Sequence, residues 1–295
     1  FATLLVGAKQ GKTHFKMFNR AVIIIVLALA SCMSANGQAV ITHYLNVQPE
    51  PFRGGRVKAV IENHELMIND VAGQPFTVEK KYNGAQYIVS EESKGKASGA
   101  NLTRTWEYDG QNRPLLIITK QFVNILGWKN ERIEFTYNDT TTFLQTIKVI
   151  KGDEVEVSGN VKCDEKGSPI YVEVFNNRGA HIATEKIYYL PANNLVKIMV
   201  YKINNQLSGI TNIPLDKGKP FTHSSLKREY YSNGDIMLDS LDGNEKINQA
   251  YYYEYEYDSK GNWIVKTTYQ VNLTKSNKIR NKKAEEKTNR QIIYS

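Results

Sequence analysis

One segment, residues 251–266, constrains the fold more than any other part of this 295-residue chain. It reads Tyr-Tyr-Tyr-Glu-Tyr-Glu-Tyr-Asp-Ser-Lys-Gly-Asn-Trp-Ile-Val-Lys. Tyrosine at every second position has the period of a β-strand, in which successive side chains point to opposite faces. Asp258 and Gly261 then predict a turn, because an Asp carboxylate accepts nearby backbone N–H groups and glycine adopts a positive φ. The segment predicts a β-hairpin whose second strand leaves through Trp263.

Weaker copies of this turn recur along the chain, and two of them begin 12 residues apart, at Asp164 and Asn176. In another copy Asn112 replaces the turn glycine, and Asn is the next best residue for a positive φ. A shortened copy lies at 231–236 and a degenerate one at 135–139. Hairpins at this spacing predict an all-β fold, an antiparallel meander in an open twisted sheet. The turn residues assigned by this alignment are Asp109, Asn112, Asp164, Gly167, Asn176, Gly179, Asp258 and Gly261.

The pattern aromatic-x-Tyr-Asp-x-x-Gly resembles the YD repeat of RHS-type bacterial surface and secreted proteins. It also resembles a broad set of small exported lipoproteins that carry a few such units. The resemblance covers roughly residues 101–270, and its best match is Tyr257-Asp258 followed by Gly261-Asn262-Trp263. Long RHS proteins wind many units into a closed shell around a toxin. Because only about six units are recognisable here, the resemblance implies a scaffold sheet that is not a closed shell, and the family motif contains no catalytic residue.

The N-terminal region predicts export. Met17–Arg20 carries one positive charge and precedes an uninterrupted apolar run at 21–30. A run of this length is about half of the ~20 residues that span a bilayer, so 17–31 is predicted to be a signal peptide. The run ends in a Leu-Ala-Ser-Cys sequence that resembles a lipobox, which makes Cys32 the candidate lipidation site. The alternative is an ordinary secretory signal that is cut near Gln38.

These features predict the organisation and location of the chain. The expected location is the outer membrane, periplasm or surface of a Gram-negative cell, with a lipid anchor as the only membrane contact. Residues 1–16 are expected to be an upstream extension that is not native. The remaining segments are a linker or entry segment at 32–56, a repeat-containing β domain at 57–270 with a possible boundary near 90–100, and a basic tail at 271–295 with a possible final strand.

The net charge of +8 comes from the two ends of the chain. Residues 1–20 contribute +4 and residues 271–295 contribute +5, which leaves −1 for everything between them. A nucleic-acid groove needs basic and aromatic residues interleaved on one folded surface. The body has the aromatic residues without the charge, so no nucleic-acid partner is expected. The basic tail itself is expected to contribute little to folding.

Residue types that carry catalysis or bind metals are dispersed. The sequence has no G-x-S-x-G or H-E-x-x-H motif. Glu254 and Glu256 share a strand face, where they either do acid–base work or, more commonly, pair with a lysine such as Lys266. No metal or cofactor is expected, because four histidines have no partner at ligand spacing: His43, His64, His181 and His223.

The alternating tyrosines and Trp263 are the candidate binding surface. Their rings are suited to stacking on sugars, but a hairpin needs an apolar face to fold, so a buried core face is the favoured interpretation of the tyrosines. Two functions stay open: an envelope lipoprotein whose sheet binds a glycan or a protein partner or is structural, and an envelope hydrolase with dispersed site residues. The missing motifs favour the first, so no catalysis is predicted. The candidate surface consists of Tyr251, Tyr253, Tyr255, Tyr257 and Trp263.

Cys163 takes the position of Tyr257 when the turn at Asp164 is aligned with the turn at Asp258. Strand alternation then places its side chain on the same face as the tyrosines. The sequence therefore predicts a small buried thiol rather than a nucleophile.

Overall fold

The computed structural model describes residues 39–68, 71–72, 75–95, 101–123, 126–222, 228–240, 249–274 and 278–295. The described residues belong to one compact unit, 39–295. The predicted signal peptide, Cys32 and His223 lie outside the described residues, as does the segment 96–100 of the possible boundary.

Strands and short turns alternate along the described chain. One short helix, α1 (Thr42–Leu45), precedes the strands, and a 3-10 turn lies at Pro191–Asn193. The strands are β1 (Val57–Ile68), β2 (Val71–Ala72), β3 (Phe76–Tyr82), β4 (Ile88–Gly95), β5 (Asn101–Tyr108), β6 (Pro114–Val123), β7 (Gly127–Tyr137), β8 (Leu144–Lys151), β9 (Glu154–Cys163), β10 (Pro169–Asn176), β11 (His181–Leu190), β12 (Leu195–Lys202), β13 (Leu207–Pro214), β14 (Arg228–Tyr230), β15 (Ile236–Ser240), β16 (Gln249–Tyr257), β17 (Trp263–Leu273) and β18 (Ile279–Tyr294).

The strands form one antiparallel meander. From β3 to β13 and from β14 to β18, each strand pairs with the next one in sequence. β1 joins the two series, since it pairs with β3 on one side and with β18 on the other. The result is an open sheet of 17 antiparallel strands, while β2 pairs only with the end of β1. The predicted all-β meander in an open sheet is confirmed.

The two edges of the sheet are β13 and β14, which show no pairing with each other in the described residues. Seventeen strands that alternate in direction leave the first and the last strand of the sheet running the same way. Antiparallel pairing therefore cannot join the edges, although β13 and β14 are consecutive in sequence. The strands β4 and β5, on either side of the possible boundary near 90–100, pair in this same sheet.

The repeated turn has one geometry. At Asp258, the carboxylate Oδ1 accepts the N–H groups of Lys260 and Asn262, both at 2.9 Å. The main chain closes the loop through Asp258 N–H to Asn262 O at 2.9 Å, and Gly261 has a φ of +83°. In the turns at Asp109, Asp164 and Asn176, the side-chain Oδ1 likewise accepts the N–H groups of the residues two and four positions later, at 2.8–3.0 Å. A further copy at Asn83, which the sequence analysis did not identify, has the same bonds at 3.0 Å.

The segment 39–47 lies against one face of the sheet, which we call the inner face. Ala39, Val40 and Ile41 belong to the largest apolar cluster, together with buried residues from β6–β8 and β10–β13. The carboxylate of Glu185, which is 2% exposed, accepts the N–H groups of Val40 at 2.6 Å and Ile41 at 3.0 Å. Burial raises the pKa of Glu185 to about 7, against the effect of these two hydrogen bonds. Residues 39–47, within the segment expected to be a linker or entry segment, are therefore part of the core and not a free linker.

The segment 271–295, expected to be a basic tail with a possible final strand, contains a strand that is longer and more central than expected. Residues 279–294 form β18, a strand of 16 residues that pairs with β17 and with β1. Its polar side chains are compatible with a central position because the inner face is itself polar there. Thr288 is fully buried, and the Arg290 guanidinium forms an ion pair with Glu62 at 3.3 Å. A central strand is usually apolar. The polar side chains of β18 are stabilised instead by polar partners on the neighbouring strand β1.

Cys163 lies on the inner face, as expected from the alignment, and packs against the largest apolar cluster. It is half-buried rather than fully buried, and its Sγ lies 3.5 Å from the carbonyl oxygen of Leu144. Burial and the nearby charge of Asp164 raise the pKa of the thiol. The environment is that of an inert thiol.

Candidate functional site

The tyrosine ladder consists of Tyr251, Tyr253, Tyr255 and Tyr257 on the inner face of β16. Consecutive ring centroids are 6.0–6.5 Å apart, and the ring of Trp263 on β17 lies 6.3 Å from that of Tyr255. The first three rings are half-buried and Tyr257 is exposed. None of these five side chains belongs to the three apolar clusters of the described residues. The ladder is on the same face as the core, but it is not packed into it.

Two rings of this surface line a cleft of about 390 Å³, which we call the inner cleft. Directly paired residues share a face of a sheet, and the pairing of Tyr255 with Lys266 brings a cation to the same face as the ring. The cleft lies beside the open edge, since Pro214 at the end of β13 and Tyr230 of β14 both line it. Its aromatic residues are Phe221, Tyr230, Tyr255 and Trp263, and its cations are Lys217, Lys219, Arg228 and Lys266.

Most charges around the inner cleft are paired. Lys217 bonds to Glu50 at 3.1 Å and Lys219 to Asp216 at 3.0 Å. Arg228 pairs with Asp239, its direct neighbour across the strands.

Asp235 is the one acidic residue that lines the cleft in the described residues, and it is engaged by Arg53 at 3.3 Å and by the Tyr257 hydroxyl at 2.9 Å. Lys266 differs from the other cations, because no carboxylate of the described residues lies within 4.0 Å of its Nζ. Its nearest described aromatic contact is the ring of Trp263, at 5.5 Å from Nζ to the centroid.

A second cleft of about 610 Å³ lies on the other side of the turn at Tyr231 and includes Glu254 and Glu256. Glu254 pairs with Lys282, whose hydrogen bond lowers the pKa of the carboxyl group. The expected pairing with Lys266 is wrong, because Lys266 stands opposite Tyr255 on the inner face and Thr267 stands opposite Glu254. The aromatic residues of this cleft are Tyr231, Tyr252, Tyr255, Tyr257 and Tyr269, so Tyr255 lines both clefts.

A compact group of charges surrounds His64 on the inner face. Its Nδ1 lies 2.6 Å from Oε1 of Glu286, and its Nε2 lies 3.7 Å from Oε2 of Glu62. Burial favours the neutral ring, but the hydrogen bonds with the two glutamates outweigh it and raise the pKa of His64. Burial likewise opposes ionisation of Glu62, yet the His64 hydrogen bond and the charges of Lys80 and Arg290 lower its pKa. These carboxylates already neutralise charges within the protein.

The sequence analysis missed this group because Glu286 lies 222 residues from His64. Strand alternation places His64 and Glu62 on the same face of β1. Only the pairing of β1 with β18 brings Glu286 to them. His43, on α1, is half-buried, and desolvation together with the charge of Arg104 lowers its pKa to about 4. Within the described ranges, no group of three or more His, Cys, Asp or Glu side chains is placed to hold a metal ion. Among the same residues, no helix has the length and apolar character needed to cross a membrane.

No protein-family model and no curated protein matches this chain. A porin-like protein from Bacteroides uniformis is a structural neighbour with 11% identity and a TM-score of 0.41, over 83% of this chain and 100% of that one. The TcdB2–TccC3 complex matches 72% of this chain with 11% identity and a TM-score of 0.26, and the Photorhabdus luminescens Tc holotoxin pore matches 69% with 10% identity and a TM-score of 0.31. This chain covers 16% and 13% of those two chains. Likeness at these scores assigns neither a family nor a function.

Proposed function

We propose that this protein is exported to the cell envelope and binds carbohydrate in the inner cleft. The observation that carries the proposal is that Phe221, Tyr230, Tyr255 and Trp263 line an open cleft instead of packing into a core. Tyrosine and tryptophan combine an apolar ring face with a polar tip. Such rings can lie against the C–H face of a pyranose while their polar atoms meet its hydroxyl groups.

The size of the cleft favours a small ligand over a protein partner. Ligand sites usually occupy about 300–1,000 Å³, and the inner cleft has about 390 Å³. A stable protein interface takes about 800 Å² from each partner, more than a cleft of this size offers. One to three sugar rings are the size of ligand that it accommodates.

The proposal assigns binding rather than catalysis. A glycoside hydrolase of the common kind needs two carboxyl groups on either side of the scissile bond. Among the described residues lining the inner cleft, Asp235 is the single acid, and its oxygens are engaged by Arg53 and Tyr257. The glutamates near His64 are likewise engaged by His64, Lys80 and Arg290.

The location is proposed from the sequence at 17–32. The apolar run and the Leu-Ala-Ser-Cys sequence support export followed by lipid attachment at Cys32. We expect incorporation of radiolabelled palmitate into the wild type and none into Cys32→Ala. Equal labelling of the two proteins would contradict the lipid anchor but leave export through a secretory signal as the explanation.

Binding is tested by titrating the protein with a panel of soluble oligosaccharides while tryptophan fluorescence is recorded. Trp106→Phe and Trp128→Phe are introduced together, so that Trp263 alone reports. We expect one class of oligosaccharide to change the emission, and a separate calorimetric titration to show loss of binding in Trp263→Ala. Trp128→Ala is the matched control, because Trp128 is 58% exposed and lies outside both clefts. Unchanged affinity in Trp263→Ala would refute the site.

A further inference from the structure

We infer that the inner cleft selects a pyranose that carries a carboxylate, with Lys266 as the counter-ion of that group. This inference rests on the carbohydrate binding proposed above and names the class of sugar. It starts from the charge balance of the cleft rather than from its aromatic residues.

Each of the other cations of the cleft has an acidic partner of its own. Lys217, Lys219 and Arg228 are matched by Glu50, Asp216 and Asp239. Lys266 has no such partner in the described residues. A lysine that lines a partly buried cleft without a counter-ion favours an anionic group in the ligand, because burial strengthens the attraction between opposite charges.

Two acids on this side of the sheet, Glu286 and Asp235, are engaged by other residues. Glu286 is close enough for the charge of Lys266 to help lower its pKa, after the larger effects of burial and of His64. The carboxylate of Glu286, however, bonds to His64 at 2.6 Å and to the Thr288 hydroxyl at 3.2 Å. Asp235 is held by Arg53 and Tyr257. Neither acid is free to swing toward Nζ without breaking those bonds.

The position of the Lys266 Nζ relative to the Trp263 and Tyr255 rings suits a sugar whose carboxylate projects from the edge of the pyranose ring. Nζ of Lys266 is 5.5 Å from the centroid of the Trp263 ring, and the Tyr255 ring is 6.3 Å from Trp263. The Arg290 guanidinium covers one face of the Trp263 ring, at 4.1 Å from the centroid. A pyranose therefore stacks on the opposite face, about 3.5–4 Å above the ring. A carboxylate that projects from the edge of that pyranose is then within hydrogen-bond reach of the ammonium group. The same side of the sheet offers a ring for the sugar and a charge for its acid.

The experiment compares a trimer of galacturonic acid with its fully methyl-esterified form by isothermal titration calorimetry. The two ligands share every ring and hydroxyl group, and each carboxylate of the acid is replaced by an uncharged methyl ester. We expect the wild type to bind the acid about tenfold more tightly than the ester, which is the size of one charge-assisted hydrogen bond. Lys266→Gln should bind both with the affinity of the ester, whereas Lys266→Arg should retain the preference.

Lys186→Gln is the matched control, since Lys186 also lies over a ring, that of Tyr201 at 5.1 Å, but outside both clefts. It should behave as the wild type, and thermal melts verify that each variant is folded. Equal affinity of the wild type for acid and ester would overturn the role of Lys266 and leave carbohydrate binding intact. Failure of both trimers to bind would overturn this inference, and carbohydrate binding itself would be overturned if the whole panel of oligosaccharides also left the Trp263 emission unchanged.

Discussion

The hydroxyl group of Tyr137 donates a hydrogen bond of 2.7 Å to the main-chain carbonyl of Pro114, 23 residues earlier. Tyr108 makes the same kind of bond to Ile88 at 2.7 Å, and Tyr189 bonds to Pro169 at 3.0 Å. In each case a residue near the end of one strand reaches the first residue of the strand that precedes it in the meander. These tyrosines tie neighbouring hairpins together, which explains physically why an aromatic residue precedes the turn.

Removal of one such hydroxyl should weaken the sheet. We predict that Tyr137→Phe lowers the free energy of unfolding by about 1 kcal/mol, since the carbonyl of Pro114 loses its donor. Urea denaturation measures the change. Tyr188→Phe is the control, because Tyr188 is an exposed tyrosine of the same sheet with no hydroxyl bond among those described. Equal destabilisation by the two variants would rule out a specific role for the tie.

Alanine substitutions at two turn glycines distinguish the destabilisation caused by backbone strain from that caused by steric crowding. Gly167 has a φ of +83°, and a Cβ there would lie 2.8 Å from the ring of Phe143. Gly179 has the same place in its turn, with a φ of +74°, but open space around it. We predict a loss of about 1 kcal/mol for Gly179→Ala from strain, and a further 1–3 kcal/mol, roughly, for Gly167→Ala from overpacking. Gly110→Ala, at an unstrained and open position, should change stability little in the same urea titration.

The buried carboxyl group of Glu185 should make stability depend on pH. Its pKa is about 7 in the folded protein, against an ordinary value of 4.5. Between these values the folded state binds more protons than the unfolded state, so the free energy of unfolding falls as pH rises. Over the whole window the loss amounts to about 3 kcal/mol. The difference between wild type and Glu185→Gln isolates this effect from other titrating groups, and parallel pH profiles of the two proteins would contradict it.

Truncation after Gln270 should abolish cooperative folding. It removes β18 and thereby separates β17 from β1 in the centre of the sheet. It also leaves Glu62 and His64 without Arg290 and Glu286. Circular dichroism on heating measures the outcome, and removal of Ser295 alone is the control. A melting temperature within a few degrees of that of the wild type would contradict the structural role of β18. That is the result expected if the segment were a basic tail that contributes little to folding.

The thiol of Cys163 should react slowly in the native protein. Its raised pKa leaves little thiolate at neutral pH, and the thiol packs against the core. We expect slow labelling by a thiol reagent in buffer and fast labelling in denaturant, measured in a Cys32→Ala background so that one cysteine reports. Rapid stoichiometric labelling of the folded protein would mean that the side chain is outside the core.

The sequence by itself determined the strands, their turns and the antiparallel meander. The hydrogen bonds of a turn such as Asp258–Asn262 span at most four residues, so the residues that make them are adjacent in the printed chain. Alternation within a strand is equally local, and it placed the tyrosine ladder and Cys163 on the same face of the sheet. What alternation leaves open is whether a face is packed, lines a cleft or meets solvent.

Only the tertiary structure decided the rest. Glu185 binds residues 40 and 41 across 145 and 144 positions of the chain, and His64 meets Glu286 across 222. Nothing local in 39–47 or 279–294 predicts those partners, because a buried backbone N–H or a buried charge is stabilised by whichever group the topology brings to it. The inner cleft depends in the same way on two edge strands, β13 and β14, that run in the same direction, so that the antiparallel pairing of the rest of the sheet cannot join them.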